Sequence, residues 1–178
     1  NFEAPGDAGA NNVYDVTVQV ADGNGGFDTQ AIAVTVTNVN EAPVITNAAT
    51  ANAAENQTTV TTVTSTDVDG GSAVYSIVGG ADAALFSIDS ATGVLTFNSA
   101  PNFEAPTDAG GNNVYDVTVQ VADGNGGSDT QAIAVTVTNV NEAPVITSAA
   151  AVSVAENQTA AMTVTSSDVD GGAAVYTI

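Results

Sequence analysis

The side chains that could do chemistry in this sequence are carboxylates, and no side chain of opposite charge accompanies them. The 178 residues include 20 Asp and Glu residues and no Lys, Arg, His or Cys, so the formal net charge is −20. Nucleophilic catalysis of the Ser–His or Cys–His type needs a base or a thiol that the chain lacks. A carboxylate pair can hydrolyse a glycoside, but there is no Trp or Arg to hold a sugar. The composition therefore predicts that the protein is not an enzyme.

The one-sided charge also restricts the partners. Without basic side chains nothing can displace the counterions of nucleic acid phosphates, so a nucleic acid partner is not expected. Anionic lipid headgroups are disfavoured for the same reason, and no apolar run approaches the roughly 20 residues that a membrane-inserted helix needs. Because an all-acidic surface repels itself, two explanations stay open: a very soluble, salt-adapted surface, or repulsion that bound cations offset.

The sequence repeats itself with a period of 101 residues. The segments that return 101 positions later, with no insertion or deletion, are residues 1–5, 38–43, 54–58 and 67–71. Self-similarity at a fixed period is the signature of tandem units. We therefore expect the C-terminal part of one unit in residues 1–43, a complete unit in 44–144 and the N-terminal part of the next unit in 145–178.

Alternation of apolar and polar residues predicts β-strands and no helix of any length. The expected strands of the complete unit are residues 43–46, 59–66, 73–78, 84–88, 93–97, 115–121 and 133–137. The last two are joined by a Gly/Asn turn at 123–127, which predicts an antiparallel hairpin. Seven short strands in about 100 residues are typical of a β-sandwich. The expected bulky core residues are Tyr75, Ile77, Leu85, Phe86, Leu95 and Phe97, with Phe103 closing one end.

The acidic residues are concentrated at the ends of these strands. Because the chain enters and leaves a sandwich at opposite ends, Glu55, Glu104 and residues 139–142 are expected at the C-terminal end. Asp67, Asp69 and Asp123 are expected at the N-terminal end. Two units stacked end to end would bring one set onto the other and form an all-oxygen site. Such a site suits Ca²⁺, which takes six to eight oxygen ligands, rather than zinc or copper.

Six short motifs follow one another in a fixed order along the unit. They lie at residues 54–56, 66–70, 86–95, 102–104, 121–123 and 139–144. This order resembles that of a cadherin repeat, and more narrowly the cadherin-like repeats of large bacterial surface adhesins. The resemblance covers the whole chain. It implies an extracellular tandem array of all-β, seven-stranded Greek-key sandwiches of the immunoglobulin type, with Ca²⁺ in the linkers making the array rigid.

Carried over position by position, the resemblance implies one set of Ca²⁺ ligands at each junction between units. At the first junction these are Glu3, Asn38, Asn40 and Glu41 upstream, and Asp67, Asp69 and Asp123 downstream. At the second they are Glu55, Glu104, Asn139, Asn141 and Glu142 upstream, and Asp168 and Asp170 downstream. The first set has no counterpart of Glu55 and the second has none of Asp123.

The sequence also departs from the family pattern. Asn replaces an Asp at Asn102 and at Asn139, and Ala143 replaces an Asn, with the same changes 101 positions earlier. One or two ions per complete junction are therefore expected instead of the family's three. Asn56 and Asn157 fit the acceptor pattern for N-glycosylation, but they coincide with a repeated motif, and we expect no glycan there.

Two functions stay open for the array. In the first, it is a calcium-rigidified stalk whose partners are the adjacent repeats of the same chain. In the second, copies of the protein assemble into a filament or matrix, because residues 1–43 and 145–178 are complementary parts of one unit. The lack of Trp and Arg, which dominate binding hot spots, favours the stalk.

Overall fold

The computed structural model describes all residues of the chain, 1–178. Residues 1–43 contain β1 (Val13–Ala21) and β2 (Phe27–Thr35). The complete unit contains β3 (Val44–Ile45), β4 (Thr50–Ala54), β5 (Thr59–Thr62), β6 (Ser65–Thr66), β7 (Val74–Gly79), β8 (Phe86–Ile88), β9 (Val94–Phe97), β10 (Val114–Ala122) and β11 (Ser128–Thr138). β12 (Val145–Ile146) and β13 (Ser166–Ser167) follow. The single helical element is a 3₁₀ turn, Ala83–Leu85, and no helix has the length and apolar character needed to cross a membrane.

The strands of the complete unit form a sandwich of two sheets. One sheet has the order β4-β11-β10-β7, in which β4 runs parallel to β11 and the other pairs are antiparallel. The other sheet has the order β5-β9-β8, and β3 and β6 form a short antiparallel ribbon. Strands distant in sequence are thus neighbours in space, and the expected all-β Greek-key sandwich is confirmed.

The core is filled by the inward-facing residues of both sheets. Alternate residues of β10 and of the second half of β11 are at most 1% exposed, which is the period-two pattern of a half-buried sheet; they are Val117, Val119, Val121, Ile133, Val135 and Val137. Phe97 packs between two other rings, with ring centroids 4.6 Å from Phe86 and 5.2 Å from Tyr115. Phe103 is partly buried and packs against the core.

The strand prediction was wrong in four places, including the start of β11, which lies at Ser128 and not at residue 133. It missed β4, whose sequence Thr-Ala-Asn-Ala-Ala has no bulky alternating residue, although Ala53 is buried. It joined β5 and β6 into one strand, whereas the chain leaves the β5-β9-β8 sheet after Thr62 and pairs with β3. It also began the fourth strand at residue 84, where the structure has the 3₁₀ turn.

Two buried aspartates hold the connection between β9 and β10, which carries Glu104. Asp82 accepts hydrogen bonds from the backbone N–H groups of Ala109 (2.7 Å) and Asp116 (2.8 Å). Asp108 accepts from the N–H groups of Asn112 and Asn113, both at 3.0 Å. These bonds fix the connection against the sandwich and so position the acidic residue that it carries.

The hairpin in residues 1–43 shows which part of this fold forms without the opposite sheet. β1 has the same sequence as β10 and pairs with β2 in the same register as β10 with β11. Val119 is fully buried, whereas its counterpart Val18 is 45% exposed. The hairpin therefore forms from its own turn and ladder, and burial of its apolar face depends on the opposite sheet.

Candidate metal centres at the repeat junctions

Glu55 is the most buried acidic residue of the second junction. It follows β4 and is only 2% exposed. One carboxylate oxygen accepts from the backbone N–H of Val140 and the other from that of Phe103, both at 2.8 Å. The side chain therefore ties the linker and the β9–β10 connection to the end of the sandwich.

Three carboxylates meet at this point. Oxygens of Glu55, Glu104 and Glu142 all lie within 4.8 Å of one another. Burial raises the pKa of the Glu142 carboxyl above its usual value, and the nearby charges of Glu55, Asp170 and Glu104 raise it further. Since the chain has no Lys, Arg or His, no side chain can neutralise the cluster.

Glu142 itself is only half satisfied. Its Oε1 accepts a short hydrogen bond from the side-chain amide of Asn56, but its Oε2 is buried and has no hydrogen-bond partner. Leaving a charged acceptor buried and unpaired is costly. A cation beside this oxygen would remove the cost, so the donor set fits a hard metal ion.

The downstream unit closes the second junction with Asp170. Its Oδ1 accepts from the side-chain amide of Asn139 at 2.8 Å, and its Oδ2 accepts from the backbone N–H of Glu142 at 2.6 Å. Asn139 also donates to Glu104, at 3.0 Å. These hydrogen bonds, from Glu142 first and then Asn139, lower the pKa of Asp170 below its usual value.

The first junction repeats the arrangement with fewer buried groups. Oxygens of Glu3, Glu41 and Asp69 lie within 4.8 Å of one another. Asp69 accepts from the Glu41 backbone N–H and the Asn38 side-chain amide, both at 2.7 Å, and these bonds lower its pKa. A hydrogen bond with Asp69 raises the pKa of Glu41, with burial and the charges of Glu3 and Asp69 adding to it.

The turn between β10 and β11 adds a second contact to the first junction. Asp123, which is 8% exposed, accepts from its own turn and from the side-chain amide of Asn40 at 2.7 Å. The Asn40 amide is the first cause that lowers the pKa of Asp123. A Cβ on Gly127 would lie 2.8 Å from the Cα of Ala42, so the linker reaches the turn only because residue 127 is glycine.

The structure brings most of the predicted ligands together. Five predicted residues lie apart from the carboxylate clusters: Asn40 and Asp123, which bond to each other, and Asp67, Asp168 and Asn141. Asp67 and Asp168 accept from the N–H groups of Asp69 (2.9 Å) and Asp170 (3.1 Å) and line neighbouring clefts. Asn141 donates only to the carbonyl of Glu142. The ligand roles of all these residues stay predictions.

Two residues of the junctions were missed by the sequence analysis, Asn56 and Gly127. Asn56 donates to Glu142 from a backbone with φ of +63°, a conformation that Asn tolerates better than most residues. Its position directly after Glu55 in a repeated motif was the available signal. Gly127 gave no sequence signal, because its role is to admit the linker of another unit.

Comparison with known proteins agrees with this geometry. A family model described as the cadherin domain matches residues 47–140, which is more than half of the chain. The chain belongs to the cadherin family. Domains of this family are extracellular, act in adhesion and bind calcium. No curated protein matches the chain.

Solved cadherin structures share the fold. Extracellular domains 1–4 of protocadherin gamma B7 match with a TM-score of 0.59 and 23% identity, covering 93% of this chain and 43% of that one. Domains EC1–4 of Drosophila N-cadherin match with a TM-score of 0.59 and 18% identity, covering 96% and 44%. The EC3–6 fragment of protocadherin gammaB7, solved as a cis-dimer, matches with a TM-score of 0.50 and 22% identity, covering 76% and 35%. This cadherin chain thus spans less than half the length of these structures.

Proposed function

We propose that this chain is part of a calcium-rigidified stalk, in which each junction between cadherin repeats holds Ca²⁺. The observation that carries the proposal is the cluster of Glu55, Glu104 and Glu142, with oxygens within 4.8 Å in a chain that has no cationic side chain. Like charges at this distance either raise their pKa values or require a counterion. Ca²⁺ supplies two positive charges and accepts six to eight oxygen ligands.

The residues that would hold the ion at the second junction come from both units. They are Glu55, Glu104, Asn139 and Glu142 upstream and Asp170 downstream. At the first junction they are Glu3, Asn38, Asn40 and Glu41 upstream and Asp69 and Asp123 downstream. Binding one ion from both sides fixes the relative orientation of consecutive units. We propose one or two ions per junction, since Asn replaces carboxylates of the family pattern.

A spacer function agrees with the rest of the molecule. The chain has 5% aromatic residues and no Trp or Arg, so it lacks the side chains that dominate binding hot spots. Near-identical repeats also suit a structure that extends by addition of equal units. We propose a non-enzymatic role on the outside of the cell, in a large bacterial surface adhesin with the binding function elsewhere.

Thermal unfolding with excess chelator and with millimolar calcium tests the proposal. Extracellular modules bind Ca²⁺ with Kd of about 10⁻⁴ to 10⁻³ M. At ten to a hundred times Kd each site adds about 1.4 to 2.7 kcal/mol, so we expect a Tm several degrees higher in calcium. Asp116→Asn, which removes an exposed charge without a hydrogen bond to its side chain, should keep the full response. Equal melting temperatures of the unmodified chain would contradict calcium binding.

A second candidate function, self-assembly, is favoured by one observation. Val16, Val18 and Val20 of β1 are 48%, 45% and 69% exposed, although their counterparts in β10, Val117, Val119 and Val121, are at most 1% exposed. Residues of a longer chain or a second copy would cover this face. Size-exclusion chromatography in calcium tests whether a second copy covers this face. A monomer at high protein concentration would exclude assembly through it.

A further inference from the structure

The contact between consecutive units is made by amide donors and carboxylate acceptors. At the first junction Asp69 of the downstream unit receives the Asn38 side-chain amide and the Glu41 backbone N–H, each at 2.7 Å. Both oxygens of this carboxylate are therefore engaged by the upstream linker. Hydrogen bonds between N–H donors and an ionised carboxylate are among the stronger ones in proteins.

The second junction makes the same contact in different surroundings. Asp170 receives the Asn139 side-chain amide at 2.8 Å and the Glu142 backbone N–H at 2.6 Å. Glu142 is half-buried beside Glu55, whereas Glu41 is exposed. The contact therefore follows from the linker and the downstream Asp, and not from the rest of the junction.

We propose that Asn38 and Asn139 form an amide latch, which holds consecutive units in a fixed orientation before any ion binds. A carboxylate at position 38 could not replace the amide, because an ionised carboxylate has no proton to donate. It would also add a fourth negative charge beside Glu3, Glu41 and Asp69, whose oxygens already lie within 4.8 Å of one another. The Asn amide thus forms a hydrogen bond with the downstream Asp where a carboxylate would be repelled by it.

The latch gives the first Asn of each linker, Asn38 or Asn139, a structural role. A junction whose first linker residue is Asp keeps only the backbone N–H of the linker Glu as a donor to the downstream Asp and sets two carboxylates against each other, so we expect it to need a cation to close. A junction with Asn at this place closes without the ion and has one charged ligand fewer to offer it. We therefore expect the choice between Asn and Asp to set how strongly the stiffness of the array depends on calcium.

Hydrogen exchange of the Glu41 and Glu142 backbone amides, measured by NMR on the full chain in excess chelator, tests the latch. Asn38→Asp should accelerate exchange at Glu41 about tenfold or more, because the N–H loses its partner when the linker separates from Asp69. Exchange at Glu142 should stay unchanged, since the second junction keeps its own amide. Asn139→Asp should produce the opposite pattern.

The control is Asn24→Asp, which adds the same charge in an exposed turn between β1 and β2. It should leave both amides unchanged, and protection of the core amide of Val119 should stay unchanged in every variant. Unaltered exchange at Glu41 in Asn38→Asp, or the same acceleration in Asn24→Asp, would overturn the latch.

Addition of millimolar calcium separates this proposal from the proposed function. Because the carboxylate introduced by Asn38→Asp would be a new ligand, calcium is expected to restore protection of Glu41 in that variant; this arm rests on the proposed function. The proposed function fails if the melting temperature of the unmodified chain does not change with calcium. The exchange rates of Asn38→Asp and Asn24→Asp in chelator test the latch independently of that result.

Discussion

The two junctions share one linker sequence, since residues 38–43 are identical to residues 139–144, but different residues surround it. The first junction has the downstream turn with Asp123, which accepts from Asn40. The second has the buried Glu55 and the partner Asn56 upstream. The linker contacts to Asp69 and Asp170 nevertheless have nearly equal lengths, from 2.6 to 2.8 Å.

The upstream and downstream units contribute different features to a junction. The downstream Asp and the linker amides determine how the units meet, because they are the same at both junctions. The upstream Glu residues determine the need for a cation, because Glu142 becomes half-buried with an unpaired oxygen only where Glu55 is present. Removing residues that occur at one junction only should therefore affect that junction alone.

The largest effect is expected for Glu55→Ala. The change leaves the backbone N–H groups of Phe103 and Val140 without their shared carboxylate acceptor, which should lower the free energy of unfolding by about 2–4 kcal/mol. It should also abolish calcium binding at the second junction and leave the first intact. Urea denaturation and calorimetry measure the two effects. Glu156→Ala is the matched control, because this exposed counterpart makes no such contact; equal losses in both variants would refute the assigned role.

Gly127→Ala should disturb the first junction alone. The added Cβ would lie 2.8 Å from the Cα of Ala42 and 3.2 Å from the Asn40 amide nitrogen. We expect a loss of about 1–3 kcal/mol in stability and weaker calcium binding at this junction. In Gly26→Ala the new Cβ meets only the side chain of Asp22, so a much smaller effect is expected. Similar calcium titrations for the two variants would show that the turn does not support the linker.

The response to calcium should decrease in acid. The pKa of Glu142 is raised above 4.5, so protons compete with Ca²⁺ at a higher pH than they would for an ordinary Glu. Because a raised pKa means that the ionised form is disfavoured in the folded protein, the chelated junction gains stability as pH falls through that pKa. The difference in Tm between calcium and chelator should therefore be smaller near pH 4.5 than at pH 7. A difference independent of pH would contradict ligation by Glu142.

Asp69 and Asp170 oppose this trend at lower pH. Their pKa values are lowered below 3.8 by the linker amides, so they contribute stability above the unfolded pKa and lose it as pH falls through the folded one. Melting in chelator should consequently show a stability maximum between the two ranges.

The smallest effect is expected for Asn56→Gly. Glycine keeps the backbone at positive φ but removes the amide that orients Glu142. Loss of one hydrogen bond corresponds to about a two- to tenfold change in affinity, and we expect weaker calcium binding at the second junction only. Asn157→Gly, at the same backbone conformation with φ of +65°, should have no effect. The assigned role of Asn56 fails if the two variants titrate alike.

The sequence predicted the fold where the residues are bulky and alternating. β10 and the second half of β11 were recognisable because bulky apolar residues occupy alternate positions there, whereas residues 128–132 of β11 carry none. β4 was not, because its small residues are held by a parallel ladder to β11 that forms only after the chain has folded. The break between β5 and β6 was not predicted for the same reason, because it depends on β5 pairing with β9 and β6 pairing with β3.

For the site, the order of acidic motifs predicted which carboxylates would share a junction, including Glu55 from far upstream. It did not predict that the Asn side chains would donate to Asp69 and Asp170, since an amide can act as donor or acceptor. Nor did it indicate Gly127, whose need for a small side chain arises from the approach of a neighbouring unit.

The central claim is that carboxylates from both sides of a junction hold Ca²⁺, and calorimetric titration of the full chain at pH 7 tests it most directly. We expect saturable binding of at least one ion at each junction, with Kd of about 10⁻⁴ to 10⁻³ M, and loss of the second-junction sites in Glu55→Ala. A chain that shows no saturable calcium binding, or the same number of ions after Glu55→Ala, would contradict the account.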